Sequence, residues 1–182
     1  MQESNSTEVK ILEAAKKLFI ENGYHDTSMS SIAGEADLGK GTLYWHFDGK
    51  DELFQSMIAR EAKKILKELD ELSDSNLNAE EVLKEFIRLR LKRMVKHKKT
   101  SQMFMDGENF INKDFKKTMF NIMQSFINLL EDTIKEGIEE GLFYTDNPRK
   151  TASAFLGIIN GICSNTILLG EDKDFDIEEN TE

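Results

Sequence analysis

The chain has 182 residues, of which 39% are hydrophobic and 32% are charged, and its net charge at pH 7 is −10. No stretch approaches the roughly 18 uninterrupted apolar residues of a membrane-spanning helix, and the first residues resemble no export signal. The single cysteine, Cys163, has no internal disulfide partner. We therefore expect a cytoplasmic protein that does not bind membranes, and any nucleic-acid surface on so acidic a chain has to be local.

Helical periodicity covers nearly the whole chain, which contains a single proline. Breaks fall at Asn22-Gly23, Asp37-Leu38-Gly39 and Asp48-Gly49. Capping signals precede later helices, such as Asn78 with Glu81 three residues on. The pattern predicts helices at about 8–22, 29–36, 40–46, 50–72, 79–102, 112–140 and 148–170. The predicted fold class is all-α.

Two short helices separated by a three-residue turn, with a third helix behind them, have the geometry of a helix-turn-helix. In the second of these helices, Leu43 and Phe47 are four residues apart and can anchor it to a core. The groups left on its other faces can hydrogen-bond to phosphates and base edges. These are Lys40, Thr42, Tyr44 and His46, and Lys50 opens the next helix beside them. Spacing alone leaves open the alternative that Tyr44, Trp45 and His46 are the aromatic packing of a small domain.

Three segments carry a resemblance to a known family: Thr27 to Ala33 (TSMSSIA), Lys40 to Phe47 (KGTLYWHF) and Lys50 to Leu53 (KDEL). In this order and without gaps, they resemble the signature of the TetR (tetracycline repressor-like) family. The preceding Ile11 to Ala15 (ILEAA) and Gly23-Tyr24 are similar to that family's first helix, so the resemblance covers about residues 8–58.

The resemblance implies a role for each of eight residues. Thr27 and Ser28 would offer a hydroxyl group or a helix N-terminus to a phosphate. Lys40 and Gly41 would lie at the base-reading start of the recognition helix, and Trp45 is expected to pack inside. The residues implied to contact backbone or bases are Thr42, Tyr44, His46 and Lys50.

The sequence departs from the family pattern at two positions. Asp37 stands where the turn commonly has glycine, although aspartate tolerates the left-handed conformation better than most residues. Gly39 stands where a serine or threonine cap is common, so one hydroxyl group that contacts phosphate is missing.

The helix after Asn78 carries an apolar stripe with a charge inside it. Leu83, Phe86, Leu91 and neighbouring apolar residues form the stripe, and Arg90 falls near its middle. Because an unpaired charge among apolar groups is costly, two interpretations follow. Either Arg90 pairs with a glutamate of a neighbouring helix or faces the head, or it anchors an anionic or hydrogen-bonding effector.

Further side chains could complete an effector pocket. Bulky, adaptable side chains are typical of plain cores and also of greasy pockets. The candidate effector residues are Arg90, His97, Phe104, Met119, Met123 and Phe126. The last helix carries a strip of small residues, which predicts close contact with another helix, either in a dimer or within one chain; the strip comprises Ala154, Gly157, Gly161 and Ser164.

Together these features predict a three-helix helix-turn-helix head that binds DNA (residues 1–50) and a helical-bundle body for effector sensing and dimerisation (residues 51–182). The expected function is a repressor that binds a palindromic operator as a homodimer and is released by a small-molecule effector. No cofactor or metal is expected. An enzyme is disfavoured because His25, His46 and His97 lie far apart and no phosphate-binding glycine loop is present. A helical adaptor that works through protein partners is the remaining alternative, although it would not need the polar set on the recognition helix.

Overall fold

The computed structural model describes residues 2–96 and 112–169, with side chains described for residues 6–93 and 112–164. Over these residues the chain forms seven α-helices and no β-strand. The helices are α1 (Gln2–Asn22), α2 (Met29–Glu35), α3 (Lys40–His46), α4 (Lys50–Ser73), α5 (Ala79–Lys96), α6 (Lys113–Glu139) and α7 (Pro148–Leu169). The all-α prediction is confirmed. Only α1 begins well before its predicted start, because its first turns are polar and show no apolar periodicity.

Local caps set the helix boundaries, among them the one predicted at Asn78. The Asn78 side chain accepts a hydrogen bond from the Glu81 amide at 3.0 Å, and the Glu81 carboxylate accepts one from the Asn78 amide at 2.9 Å. This reciprocal pair starts α5. The Asn147 side chain likewise accepts from the Lys150 amide at 2.9 Å and starts α7. Gly141 follows α6 with φ 78°, the left-handed conformation that glycine adopts without strain.

The described residues divide into two compact units, one of residues 2–61 and 112–116 and the other of residues 62–96 and 117–169. Helix α4 is uninterrupted and contributes to both. The core of the first unit is built from α1 to α3 and the first turns of α4. The rings of Phe19, Tyr24 and Phe54 meet there, with centroids 5.2–5.5 Å apart. This aromatic centre fixes the support on which α3 rests.

The second unit has its own aromatic centre. Phe86 of α5 lies 6.1 Å from Phe126 of α6 and 6.4 Å from Phe155 of α7, measured between ring centroids. The same unit also buries aliphatic side chains, which include Leu69, Val82, Leu91, Ile122, Ile127, Leu130, Ile134, Leu156 and Ile159. The predicted stripe on α5 therefore faces a core, with Phe86 and Leu91 almost completely buried.

Candidate DNA-binding surface

Helices α2 and α3 are joined by a tight turn. The Ser28 side chain accepts a hydrogen bond from the Ser31 amide at 3.0 Å, and the Ser31 hydroxyl accepts one from the Ser28 amide at 3.0 Å, so the pair caps α2. Asp37 adopts φ 54°, the left-handed conformation expected for a residue that stands in place of glycine. Gly39 precedes α3 and provides no side-chain cap. The departure at Asp37 therefore leaves the turn intact, whereas the one at Gly39 removes a hydroxyl group.

Helix α3 is held from one side only. Leu43 is fully buried and Phe47, directly after the helix, is almost so. Tyr44 is 47% exposed and Trp45 is 74% exposed. The prediction that Trp45 packs inside is therefore wrong: it lies two residues from each anchor, on the face that points to solvent. The alternative in which Tyr44 and Trp45 form the packing of the domain does not agree with these exposures.

The polar groups predicted on α3 lie on its accessible surface. Lys40 is exposed, and its Nζ lies 5.9 Å from the centre of the Tyr44 ring. Thr42 and His46 are partly exposed, and the His46 ring meets that of Trp45 edge-on at 4.7 Å. No heavy atom outside the local helix backbone lies within 4 Å of a Cβ built on Gly41. The start of α3 thus presents hydrogen-bond donors beside Gly41, where no side chain prevents a close approach of a DNA groove.

Thr27 lies inside the head rather than on this surface. Its side chain is buried, and its hydroxyl donates to the carbonyl oxygen of Gly23 at 2.7 Å or of Leu18 at 3.2 Å. The expected contact between this hydroxyl and a phosphate does not fit that burial. Thr27 instead fixes the loop that presents Ser28, whose side chain is exposed.

Lys50, the first residue of α4, is also tied to the loop between α1 and α2. Its Nζ donates to the carbonyl oxygens of Tyr24, His25 and Thr27 at 2.7, 3.3 and 2.9 Å. An ammonium group has three protons, so these contacts occupy all of them. The expected contact of Lys50 with DNA therefore competes with a role inside the protein.

Tyr24, in the loop between α1 and α2, makes two further contacts with the start of α4. The Nζ of Lys50 lies 4.3 Å from the centre of the Tyr24 ring, and the Tyr24 hydroxyl donates to a carboxylate oxygen of Asp51. Burial, followed by this hydrogen bond, raises the pKa of Tyr24 above its ordinary value. The start of α4 is thereby locked to the loop before α2. We refer to Tyr24, Lys50 and Asp51 as the corner clamp.

In the body, Arg90 finds a neutral partner. Its Nη2 donates to the side-chain oxygen of Asn160 on α7 at 2.8 Å, and its buried Nε has no hydrogen-bond partner within the described part of the chain. Among the described residues no carboxylate lies within ion-pair distance of Arg90. The interpretation that pairs Arg90 with a glutamate therefore finds no support among the described residues, and the effector-anchor interpretation stays a prediction. It is Arg93, one turn later, that pairs with Glu68 of α4.

The other effector candidates separate by position. Phe126 belongs to the aromatic centre of the body, and Met119 is partly buried. Met123 is 44% exposed, so in this chain it does not line the interior. His97 and Phe104 lie outside the described residues. Asn160 was missed, because only the fold brings a residue 70 positions away to Arg90.

Two family models match this chain. The model of "Bacterial regulatory proteins, tetR family" matches residues 11–57, and that of "Tetracyclin repressor-like, C-terminal domain" matches residues 76–164. The chain belongs to the TetR family. The first match contains the α2–turn–α3 surface, and the second contains Arg90, Asn160 and the aromatic centre.

Curated relatives and solved structures agree with this membership. The HTH-type transcriptional regulator YhgD of Bacillus subtilis is 28% identical over 80% of this chain and 76% of its own length. The fatty acid metabolism regulator protein of the same organism is 23% identical over 78% of this chain and 73% of its own length. FadR of Bacillus subtilis in complex with stearoyl-CoA superposes with a TM-score of 0.76 at 21% identity, covering 95% of this chain and 92% of that one. PfmR of Thermus thermophilus superposes with a TM-score of 0.69 at 22% identity, covering 94% and 92%.

TetR-family membership places this chain among DNA-binding regulators of transcription, which are not enzymes. Within the described residues, no helix is both long and apolar enough to span a bilayer. The body model belongs to the same family, so the head and the body of this chain are parts of one TetR-type regulator.

Proposed function

We propose that this TetR-family regulator is a repressor that binds a palindromic operator as a homodimer and releases it when a small molecule binds the body. Residues 1–50 provide the head, and α3 enters the major groove. One observation carries the proposal: α3 is anchored by Leu43 and Phe47 while its opposite face is open to solvent. The contact residues are Ser28, Lys40, Gly41, Thr42, Tyr44 and His46, to which the exposure of Trp45 adds a seventh.

Thr27 and Lys50 have a different part in this proposal. Their polar groups bind carbonyl oxygens of the α1–α2 loop, so they position the surface from inside. A local surface is also compatible with the negative net charge of the chain. An acidic body disfavours stray binding to DNA, whereas a short edge of donors, doubled in a dimer, retains specific binding.

The proposed dimer contact is an apolar surface on α6 and α7. Ile158 is 64% exposed on α7, and Phe120 is 55% exposed on α6. A Cβ built on Gly157 or Gly161 meets no heavy atom outside the local helix backbone within 4 Å, so a partner helix can approach closely there. Large exposed apolar side chains beside small residues are typical of surfaces that pair. We define the paired surface as Phe120, Met123, Ala154, Gly157, Ile158, Gly161 and Ile162.

Dimerisation doubles the recognition helix, which by itself reads too few base pairs for specificity. The half-sites are then expected about 34–36 Å apart, or further if the heads are spread. Light scattering of the purified chain at micromolar concentration should give a dimer. Ile158→Glu should shift it to a monomer that binds the full palindrome weakly, because a charge would enter the apolar contact.

The control for this experiment is Leu142→Glu, which adds the same charge at an exposed leucine after α6 and should leave the dimer unchanged. A monomeric wild type, or a dimer that tolerates Ile158→Glu, contradicts the proposed surface.

An effector response is supported by two features. The Bacillus subtilis FadR structure contains stearoyl-CoA, and α4 runs without interruption from the head unit into the body unit. We propose that an effector among the body helices moves α4 and so changes the spacing of the two recognition helices. A coupling free energy of about 1–3 kcal/mol is enough to change DNA affinity about 5- to 150-fold.

The whole proposal is tested with DNA selected from a random pool. The only tryptophan of the chain is Trp45 in α3, so its emission reports directly on contact with DNA. Addition of selected palindromic DNA should change that emission saturably and with strong salt dependence. If no DNA is enriched, or if binding leaves Trp45 emission unchanged, α3 does not dock as proposed.

A further inference from the structure

A polar site lies inside the body between α5 and α7. The Nη2 of Arg90 donates to the Asn160 amide oxygen at 2.8 Å, while the Nε is buried and meets no hydrogen-bond acceptor of the described residues. An amide oxygen satisfies one donor but carries no charge. Among the described residues, the buried Nε of the guanidinium therefore finds no acceptor, and the charge finds no anion.

The neighbouring arginine shows what is missing. Arg93 lies one turn further along α5 and is paired with the Glu68 carboxylate of α4. Only Oε1 of that carboxylate is engaged by Arg93, while its Oε2 is buried with no hydrogen-bond partner among the described residues. Glu68 does not come within ion-pair distance of Arg90, and the positive charge of Arg93 acts on Arg90 as well. Burial lowers the pKa of Arg90 below its ordinary value; Cys163 opposes that shift and Arg93 adds to it. Arginine nevertheless keeps its proton in proteins, so what the described residues leave unmet at Arg90 is a negative charge.

The surroundings add a second requirement. Phe86 lies one turn before Arg90 on α5 and is buried against Phe126 and Phe155. The Phe86 ring lies one turn from Arg90 along α5, and an apolar chain attached to a group held at Arg90 can enter among these rings only if they move apart, because they are packed together. Two hydrogen-bond donors are available for the two oxygens of a ligand. They are the Nε–H of Arg90 and the side-chain NH2 of Asn160, which has no other partner among the described residues.

We propose that the effector of this regulator is a hydrophobic carboxylate, bound through Arg90 and Asn160 with its apolar part against Phe86, Phe126 and Phe155. This inference rests on the proposed effector response and names its chemical class. It also connects the ligand to α4, because Arg93, one turn from Arg90, is the residue that pairs with Glu68 of that helix. An anion that draws Arg90 towards itself changes the field at that ion pair.

The test uses the full chain and the straight-chain carboxylates from butanoate to hexadecanoate. Each is compared with its methyl ester and its coenzyme A thioester in thermal unfolding and in calorimetric titration. Carboxylates of suitable length should raise the unfolding temperature, because a ligand that binds only the folded state stabilises it. The methyl esters, which lack the charge, should not.

Substitution of Arg90 separates a binding role from a structural one. Arg90→Met should weaken carboxylate binding by about ten- to a hundredfold, the loss expected for charged hydrogen bonds. It should leave the unfolding temperature of the ligand-free protein unchanged or higher, because an uncompensated buried charge is removed. Asn160→Ala keeps the arginine and should weaken carboxylate binding less than Arg90→Met does. It tests the site if Arg90→Met does not fold.

The matched control is Arg88→Met on the same helix. Arg88 is exposed and lies 3.7 Å from Glu85, so the same charge is lost away from the site and binding should not change. Four results would overturn the inference. The protein could bind the esters as well as the carboxylates, bind the thioesters but not the free carboxylates, or bind no carboxylate at all. The fourth is that Arg90→Met binds carboxylates as tightly as wild type does. DNA affinity is measured separately, so a failure of the carboxylate site is distinct from a failure of the DNA-binding function.

Discussion

The consecutive helices α3 and α4 begin with the same two residues, but the lysine at each start has different surroundings. Helix α3 starts with Gly39-Lys40 and α4 with Gly49-Lys50. Lys40 extends into solvent over the Tyr44 ring, whereas Lys50 donates to three carbonyl oxygens of the α1–α2 loop. The same residue at the same helix position is thus available to a partner in one place and is used inside the protein in the other. What differs is the chain packed beside each helix, which local sequence does not reveal.

We expect the largest difference in stability between two single variants, in each of which one of these lysines is replaced by methionine. Lys50→Met leaves three carbonyl oxygens without their charged donor and removes the cation from the Tyr24 ring, so we expect a loss of about 2 kcal/mol in the free energy of unfolding. Lys40→Met removes an exposed charge, and the free energy of unfolding should stay within about 0.5 kcal/mol of wild type. Denaturant unfolding measures both. Equal losses in the two variants would remove the distinction between the two helix starts.

A smaller effect is expected within the corner clamp. Tyr24→Phe removes the hydrogen bond to Asp51 while the ring stays against Lys50. Loss of one hydrogen bond to a carboxylate should lower the free energy of unfolding by about 1–2 kcal/mol at neutral pH. The same substitution in an exposed place, Tyr144→Phe, should have almost no effect.

The clamp also predicts a dependence on pH. The Tyr24 pKa is raised above its ordinary value of 10.0 in the folded chain. Below pH 10 both the folded and the unfolded chain keep the Tyr24 proton, so Tyr24 does not make the free energy of unfolding depend on pH there. Above it the unfolded chain releases the proton while the folded chain keeps it, so the free energy of unfolding falls as the pH rises. Wild type should lose stability more steeply than Tyr24→Phe in alkaline denaturant titrations, and parallel curves would contradict the clamp.

Much of the fold was accessible from the sequence because its signals are local. The limits of α3 follow from Gly39, Asp48 and the four-residue spacing of Leu43 and Phe47. The caps at Asn78 and Asn147 involve only the next turn of chain. Such contacts form between neighbours along the chain, so pattern and structure agree.

The roles that differed depend on distant neighbours. The Thr27 hydroxyl reaches the carbonyl oxygen of Leu18, and Arg90 reaches Asn160 of a helix far along the chain. The family resemblance implies that Trp45 packs inside, yet Leu43 and Phe47 already fill the side of α3 that faces the core. Periodicity identifies which face is buried, but it does not identify the partner that a polar group finds there.

The central claim, that the exposed face of α3 binds DNA, is tested most directly by a pair of tyrosine substitutions. Tyr44→Phe and Tyr144→Phe each remove one hydroxyl group from an exposed tyrosine, one on α3 and one after α6. With selected DNA at fixed salt, Tyr44→Phe should weaken binding by roughly 1.5–3 kcal/mol, as for a hydrogen bond to a charged phosphate, with an unchanged unfolding temperature. Tyr144→Phe should bind as wild type does. If Tyr44→Phe binds DNA as tightly as Tyr144→Phe, or lowers the unfolding temperature instead, α3 is not the DNA-binding surface described above.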